Sequence, residues 1–229
     1  MLVLDFDGTI CLGDGPVWAY ADAITPYLDQ RLARQVSDGL LAYLEGHATA
    51  ATYADGYSAI AALAGPHVPA SALKAAYGSS RDALADGRLD IHAPDGLADL
   101  LDRIAPAVRI VVVTNAPSTG LDTALAKIGL TAHVDQVIPS AGKPAGSQQT
   151  FTGLLAGAAP AHLMSVGDIW VNDIEPALAI GAATAFVDRS GRDDRPAHAK
   201  ATDITELYAA IEKWSSDPVS FLEANPIRS

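Results

Sequence analysis

Cysteine is almost missing from this sequence. Its 229 residues include one, Cys11, which excludes an intrachain disulfide and points to a reducing, cytoplasmic setting. Long apolar runs are missing as well. No stretch approaches the ~20 unbroken apolar residues that a membrane-spanning helix needs. The strand pattern begins at Leu2 and leaves no room for a signal peptide. Positive charge is scarce: 15 Lys and Arg stand against 27 Asp and Glu, giving a formal net charge of −12. That balance argues against nucleic acid or an anionic membrane as the partner. It leaves room for a small anionic substrate, because one local site can be cationic within an acidic protein. The six histidines (47, 67, 92, 133, 162 and 198) lack metal-ligand spacing. The sequence carries no repeat and no low-complexity tract, and it is silent on oligomeric state. Apolar residues, by contrast, make up 49% of the chain. That is ample for one large domain, or for a core with a small second domain.

Short β-branched runs alternate with amphipathic segments, the pattern of a parallel α/β sheet. Strands are expected at 2–6, 108–115, 133–138, 162–168 and 184–188, with helices at 94–104, 119–128, 147–155, 171–180 and 204–214. The region from Pro16 to Arg88 differs in having no convincing strand. Val17, Tyr20, Ile24, Leu28, Leu32 and Val36 recur at helical spacings of three and four. Thr25-Pro26 reads as an N-cap followed by a proline at the first helical position. Further helices are expected at 39–44, 52–63 and 69–77, and six of the seven tyrosines fall in this region. The chain thus divides into a Rossmann-like sheet core (1–15 and 89–214), a small all-helical domain (16–88), and a proline-broken tail (215–229).

Four polar clusters fall in or near loops that follow strands: Asp5 and Asp7 after the first, Thr114-Asn115 after the second, Lys143 after the third, and Asp168 with Asp173 after the fourth. In an open parallel sheet the loops at the carboxyl ends of the strands form one rim, so these clusters can converge. Together they supply carboxylates, a hydroxyl, an amide and an ammonium, a set suited to a hard divalent cation and a phosphoryl group. Two like charges at Asp5 and Asp7 need compensation by a cation, by a proton on one of them, or by both.

Asp5-Phe6-Asp7-Gly8-Thr9, Thr114-Asn115, Gly142-Lys143-Pro144, and Gly167-Asp168 with Asp173 resemble the four ordered motifs of the haloacid dehalogenase-like hydrolase superfamily. The match covers about residues 1–15 and 90–190. The helical segment resembles that family's cap in position and size alone. The resemblance implies a phosphatase that hydrolyses a small phosphorylated metabolite through an aspartyl phosphate on Asp5. Asp7 would act as acid and then base. Thr114, Asn115 and Lys143 would hold the phosphoryl oxygens. The cation, usually Mg2+, would be held by Asp5, the backbone carbonyl of Asp7, and Asp168. Asp173 would sit behind them, orienting Lys143 or a metal-bound water. The metal-free dehalogenases of the family carry tyrosine where Asp7 stands here, which favours phosphoryl chemistry over carbon–halogen cleavage. The branch that needs a cap lysine fits poorly, because residues 1–73 contain no lysine.

Each residue also has a plainer reading. Asp-x-Asp can be a turn with capping carboxylates, Thr114-Asn115 a strand end, Lys143 a solvated loop residue, Asp173 a helix-start charge, and Cys11 a packed small residue. Two other functions compete. A phosphomutase would use the same nucleophile and return the phosphoryl group to a sugar. A non-catalytic signalling module phosphorylated on aspartate would share the sheet, but it would carry its aspartate after the third strand and would lack an inserted helical domain.

Overall fold

The computed structural model describes residues 1–46 and 53–227. His47 and the expected helix start at Thr52 lie outside them. The chain divides into two compact units: Met1–Leu12 with His92–Ser118 and Ile128–Ser229, and Gly13–Ile91 with Thr119–Lys127.

The first unit is built on a six-stranded sheet. Its strands are β1 (Leu2–Leu4), β2 (Ile110–Val113), β3 (Gln136–Ile138), β4 (Met164–Gly167), β5 (Ala183–Val187) and β6 (Ala199–Ala201). They lie in the order β3-β2-β1-β4-β5-β6, all parallel. β1 and β2 are buried along their whole length, as a parallel sheet covered on both faces requires. Val3, Val111 and Val113 pack with Phe151 of α7 (Ser147–Leu155) and Ala177 of α9 (Glu175–Ala179). The alternating residues Leu2, Leu4, Ile110 and Val112 point to the other face and are equally buried. The strand order reverses between β1 and β4. That reversal opens a crevice at their carboxyl ends, the position where open α/β sheets bind ligands.

Several expected boundaries shift, the helix expected at 94–104 being the shorter α5 (Leu97–Ile104). The helix expected at 171–180 is two short pieces, α8 (Trp170–Asp173) and α9, with Pro176 in the first turn of α9. The helix expected from 204 begins as a 3₁₀ turn and continues as α10 (Tyr208–Ser216). The proline-broken tail holds a further helix, α11 (Pro218–Ala224), capped by Asp217 and anchored by buried Phe221. β6 was not anticipated, because Ala-Lys-Ala carries none of the β-branched or aromatic residues that mark strands.

The second unit is helical. It contains α1 (Gly15–Ile24), α2 (Gln30–Leu44), α3 (Gly56–Ala64) and α4 (Ala70–Ala85). Thr25 is not an N-cap: its hydroxyl donates back to the Ala21 carbonyl. Asp29 starts α2, accepting from the Leu32 N–H at 2.7 Å. Segment 39–44 is the end of α2 rather than a separate helix. Asp55 and Ser58 form a reciprocal capping box on α3. Tyr20, Ile24, Val36, Leu40, Ile60 and Val68 form the core, and the rings of Tyr20, Tyr57 and Tyr77 pack mutually at centroid distances of 5.3–6.5 Å.

One helix expected with the sheet core, α6 (Leu121–Lys127), groups with this unit instead. A Cβ on Gly120 would fall 2.9 Å from the Ala85 nitrogen and 3.0 Å from the Arg81 carbonyl of α4, and its φ is +80°. Glycine is therefore what lets the chain approach α4 so closely. Lys127 then donates to the Gly87 and Leu89 carbonyls. Among the described residues, no helix is long and apolar enough to cross a membrane.

Candidate active site

Asp5 directly follows β1. Its amide donates to the Val166 carbonyl of β4 at 2.9 Å, and its carboxylate accepts from the Thr9 hydroxyl at 3.2 Å. The turn beyond it closes tightly, with the amides of Thr9, Ile10 and Cys11 converging on the Phe6 carbonyl. Gly8, at φ +82°, has no room for a side chain: a Cβ there would lie 2.3 Å from Asp168 Oδ2. Gly167 is equally constrained, since a Cβ would meet the Asp173 carboxylate at 2.3 Å. These two glycines let three carboxylates approach one another. Asp5, Asp168 and Asp173 each offer an oxygen within 4.8 Å of the others, a cluster that could hold a metal ion.

Lys143 supplies the cation among them. Its Nζ donates to Asp5 Oδ1 at 2.6 Å and to Asp173 Oδ1 at 2.7 Å, and its side chain is only 3% exposed. A buried ammonium is tolerated when it is paired on this scale. Burial pulls Lys143 towards deprotonation, but the adjacent Asp5 and Asp173 charges outweigh it and hold the ammonium above its ordinary range. Burial pushes Asp168 well above the usual carboxylate range, helped by the Asp5 and Asp173 charges. Burial and the charge of Asp5 raise Asp173 to about 7, against the opposing pull of Lys143. In both, burial and the neighbouring negative charge outweigh the partial compensation from nearby cations. Among the described residues, the buried Asp168 Oδ1 has no hydrogen-bond partner.

The second expected cluster is also near. Thr114 is buried and its Oγ1 accepts from the Ala116 amide at 3.0 Å. Asn115 clamps the lysine loop: its Nδ2 donates to the Lys143 carbonyl at 3.0 Å and its Oδ1 accepts from the Lys143 amide at 2.6 Å. Sequence reasoning assigned Asn115 to phosphoryl oxygens; in the structure its amide holds the backbone that carries Lys143. Asp7 is half-buried and forms a backbone bridge with Cys11, and it is not one of the three clustered carboxylates. Sequence reasoning missed Arg189. It lies two residues beyond the end of β5, with Nη1 4.0 Å from Asp168 Oδ2. Its place after the fifth strand, on the same rim, was the available signal.

No family model matches this sequence, and no curated protein does. Solved structures do match across nearly the whole chain. A predicted phosphoglycolate phosphatase from Haemophilus somnus aligns with a TM-score of 0.63 and 16% identity, over 93% of this chain and 96% of its own. YfnB of Bacillus subtilis, whose structure is bound to magnesium, aligns at 0.62 and 18%, over 91% and 96%. A 2-haloacid dehalogenase from Pseudomonas syringae aligns at 0.55 and 16%, over 93% and 98%. The chain therefore has the fold of the haloacid dehalogenase-like hydrolases. Phosphatases and dehalogenases both occur among these neighbours, so the fold alone does not select the reaction.

Proposed function

We propose that this chain is a hydrolase that removes the phosphoryl group from a small phosphorylated metabolite, with Asp5 as nucleophile and Mg2+ as cofactor. The observation that carries this reading is the cluster itself. Asp5 and Asp173 flank the ammonium of Lys143, Asp168 lies within 4.8 Å of both carboxylates, and among the described residues its buried Oδ1 has no hydrogen-bond partner. Displacing halide from carbon calls for one carboxylate nucleophile, and further anions beside it would only raise its desolvation and repulsion costs. A divalent cation reconciles the three. Asp5 and Asp168 would hold it through hard oxygen donors, with the Asp7 carbonyl as the third ligand that the resemblance implies. When bound, it would neutralise charge on the phosphoryl oxygens.

The chain's own residues divide the remaining work. Asp5 attacks phosphorus, and the bond to the leaving oxygen breaks as an aspartyl phosphate forms. Asp7 donates a proton to that oxygen, then takes one from the water that hydrolyses the phosphoenzyme. Lys143 faces the nucleophile and offsets charge as it develops on the phosphoryl group. Asp173 holds the Lys143 ammonium, and Asn115 holds its backbone. Thr114 offers its hydroxyl to the same group. The helical unit supplies substrate selection, as the resemblance to inserted caps implies.

The test is phosphate release from a panel of phosphorylated metabolites in Mg2+, run beside halide release from 2-haloacids. Phosphate alone should appear, and chelator should abolish it. Asp5→Asn should lower turnover by at least ~10⁴-fold and leave no acid-labile phosphoenzyme after rapid quench. Halide release without phosphate release would overturn the reading.

A further inference from the structure

We propose that Arg189 forms an anion subsite beside the phosphoryl site, so that the preferred substrate is a phosphomonoester bearing a second anionic group, a carboxylate or another phosphate. The proposal rests on the phosphatase reading for the first group and on separate observations for the second.

The guanidinium lies 4.0 Å from Asp168 Oδ2, with its side chain 52% exposed where that of Asp168 is 13% exposed. It therefore touches the site with one edge and faces solvent with the rest. A half-exposed pair at that separation adds little to folding, so stability does not account for its position. Among the described residues the guanidinium donates no hydrogen bond, and its planar fork remains available for a bidentate anion.

The loop that carries it is firmly built. Asp188 is buried, and its carboxylate accepts from Ser190 Oγ and from the Asp193 amide, each at 2.8 Å. The Gly191 amide returns to the Asp188 carbonyl at 2.8 Å. Farther along, Trp170 Nε1 donates to the Pro196 carbonyl at 2.9 Å, and Arg195 stacks over the Trp170 ring at 4.7 Å while pairing with Asp193. Trp170 begins α8, the helix that ends in Asp173. The Arg189 loop is thus tied to the segment that carries Asp168 and Asp173, and the backbone from which the guanidinium extends is held beside the site.

Charge supplies the second argument. Three ionised carboxylates and one ammonium leave two negative charges, and a divalent cation brings that group to zero. A neutral site does not gather a phosphomonoester dianion. Arg189 adds a positive charge at the mouth, at the point where a substrate reaching past the phosphoryl group would present its next substituent.

The test compares ligands that cannot turn over. Ethylphosphonate carries one anionic group. Phosphonoacetate replaces its methyl by a carboxylate, and ethane-1,2-bisphosphonate supplies a second phosphonate. Affinities are measured by calorimetry in excess Mg2+ for the wild-type protein, Arg189→Ala, Arg189→Lys, and Arg192→Ala as an exposed neighbour on the same loop. At least one two-anion ligand should bind about tenfold to a hundredfold tighter than ethylphosphonate, the range of a charge-assisted hydrogen bond pair. Arg189→Ala should bring that ratio to about one, Arg189→Lys should keep part of it, and Arg192→Ala should leave it in place. Which ligand gains separates carboxylate from phosphate. A wild-type ratio near one, or a ratio that survives Arg189→Ala in a folded variant, overturns the subsite. Phosphoester turnover with no such ratio sinks the subsite and spares the phosphatase reading. A clear Arg189-dependent ratio without phosphoester turnover does the reverse.

Discussion

In the helical unit, Asp29 and Asp55 accept hydrogen bonds from backbone N–H groups at helix starts, at 2.7 and 2.6 Å, close to solvent. In the sheet unit, Asp5, Asp168 and Asp173 lie within 4.8 Å of one another around one ammonium. The side chain is the same in both units, but the first pair answers a deficit in the backbone and is satisfied by it. The second group creates a deficit of positive charge that the protein meets only in part. A carboxylate whose needs are met locally is structural, whereas carboxylates that share an unmet need mark a site. The experiments that sharpen this contrast range from changes in rate to changes of about 1 kcal/mol in stability.

After the loss at Asp5, the largest effect should come from Asp7, the half-buried carboxylate outside the cluster. Asp7→Ala should lower turnover of esters with alkoxide leaving groups by ~10²–10⁴-fold. p-Nitrophenyl phosphate needs no protonation of its leaving group, so it should give a burst of phenolate approaching one equivalent and then stall. Equal loss on both esters with no burst would show that Asp7 is not the acid and base.

Next comes the cation. Lys143→Met leaves Asp5 and Asp173 without their ammonium in a buried setting. Removing one partner of a buried pair typically costs ~3–5 kcal/mol, which for a chain of this size is a drop in Tm of about 10 °C. The loss should be greatest at pH 8 in chelator and smaller at pH 5, where Asp168 and Asp173 can take up protons. A Tm equal to wild type at pH 8 would mean that the cluster does not depend on Lys143.

The pH dependence of the wild-type protein follows from the same carboxylates. The Asp173 carboxyl has a pKa of about 7 in the folded chain against an ordinary 3.8, and Asp168 is raised as well. The folded state therefore holds more protons than the unfolded state between about pH 4 and 7, so their contribution to stability falls as pH rises through that window. In chelator the protein should melt higher at pH 5 than at pH 8, by the equivalent of a few kcal/mol at most. Mg2+ should raise Tm more at pH 8 than at pH 5, since it binds the ionised carboxylates. Asp173→Asn removes the penalty and should flatten the chelator profile. A metal-independent profile that rises towards pH 8 would contradict the crowding of charge described above.

Much of the sheet unit was legible because its signals are local. β1, β2, β3 and β4 fall inside the expected spans and β5 begins one residue early, because runs such as Ile110–Val113 carry their burial in their own side chains. Asp5, Lys143, Asp168 and Asp173 were each visible from the loop that follows a strand, and the sheet brings them together. What was not legible depends on partners far away in sequence. The period of α6 marks a helix without saying that it docks on α4; the contact that decides this is a glycine fitting between two backbone atoms. The residue type of Asn115 points to phosphoryl oxygens, and its hydrogen bonds to the Lys143 backbone, 28 positions away, could not be read from the sequence. Arg189 stands after the fifth strand, on the same rim, but its tie to the carboxylates appears only in the 4.0 Å distance to Asp168. In the helical unit the tyrosines were noticed, but their packing against one another depends on three different helices.

The smallest effect tests the structural half of the comparison. Asp55 accepts from the Ser58 amide, while Ser58 Oγ accepts from the Asp55 amide at 3.0 Å. Loss of such a cap costs ~1 kcal/mol, so Asp55→Ala should lower Tm by roughly 2–4 °C. Asparagine is nearly as good an N-cap, so Asp55→Asn should restore most of the loss. The carboxylate serves here as a hydrogen-bond acceptor, so Mg2+ should give both variants the same rise in Tm as the wild-type protein. For Asp173→Asn the pattern should differ: the same isosteric exchange should change both the pH profile in chelator and the response to Mg2+. If Asp55→Asn altered the response to Mg2+ as strongly as Asp173→Asn, the division between capping and site carboxylates would fail, and Asp55 would have to be counted among the groups that feel the ion.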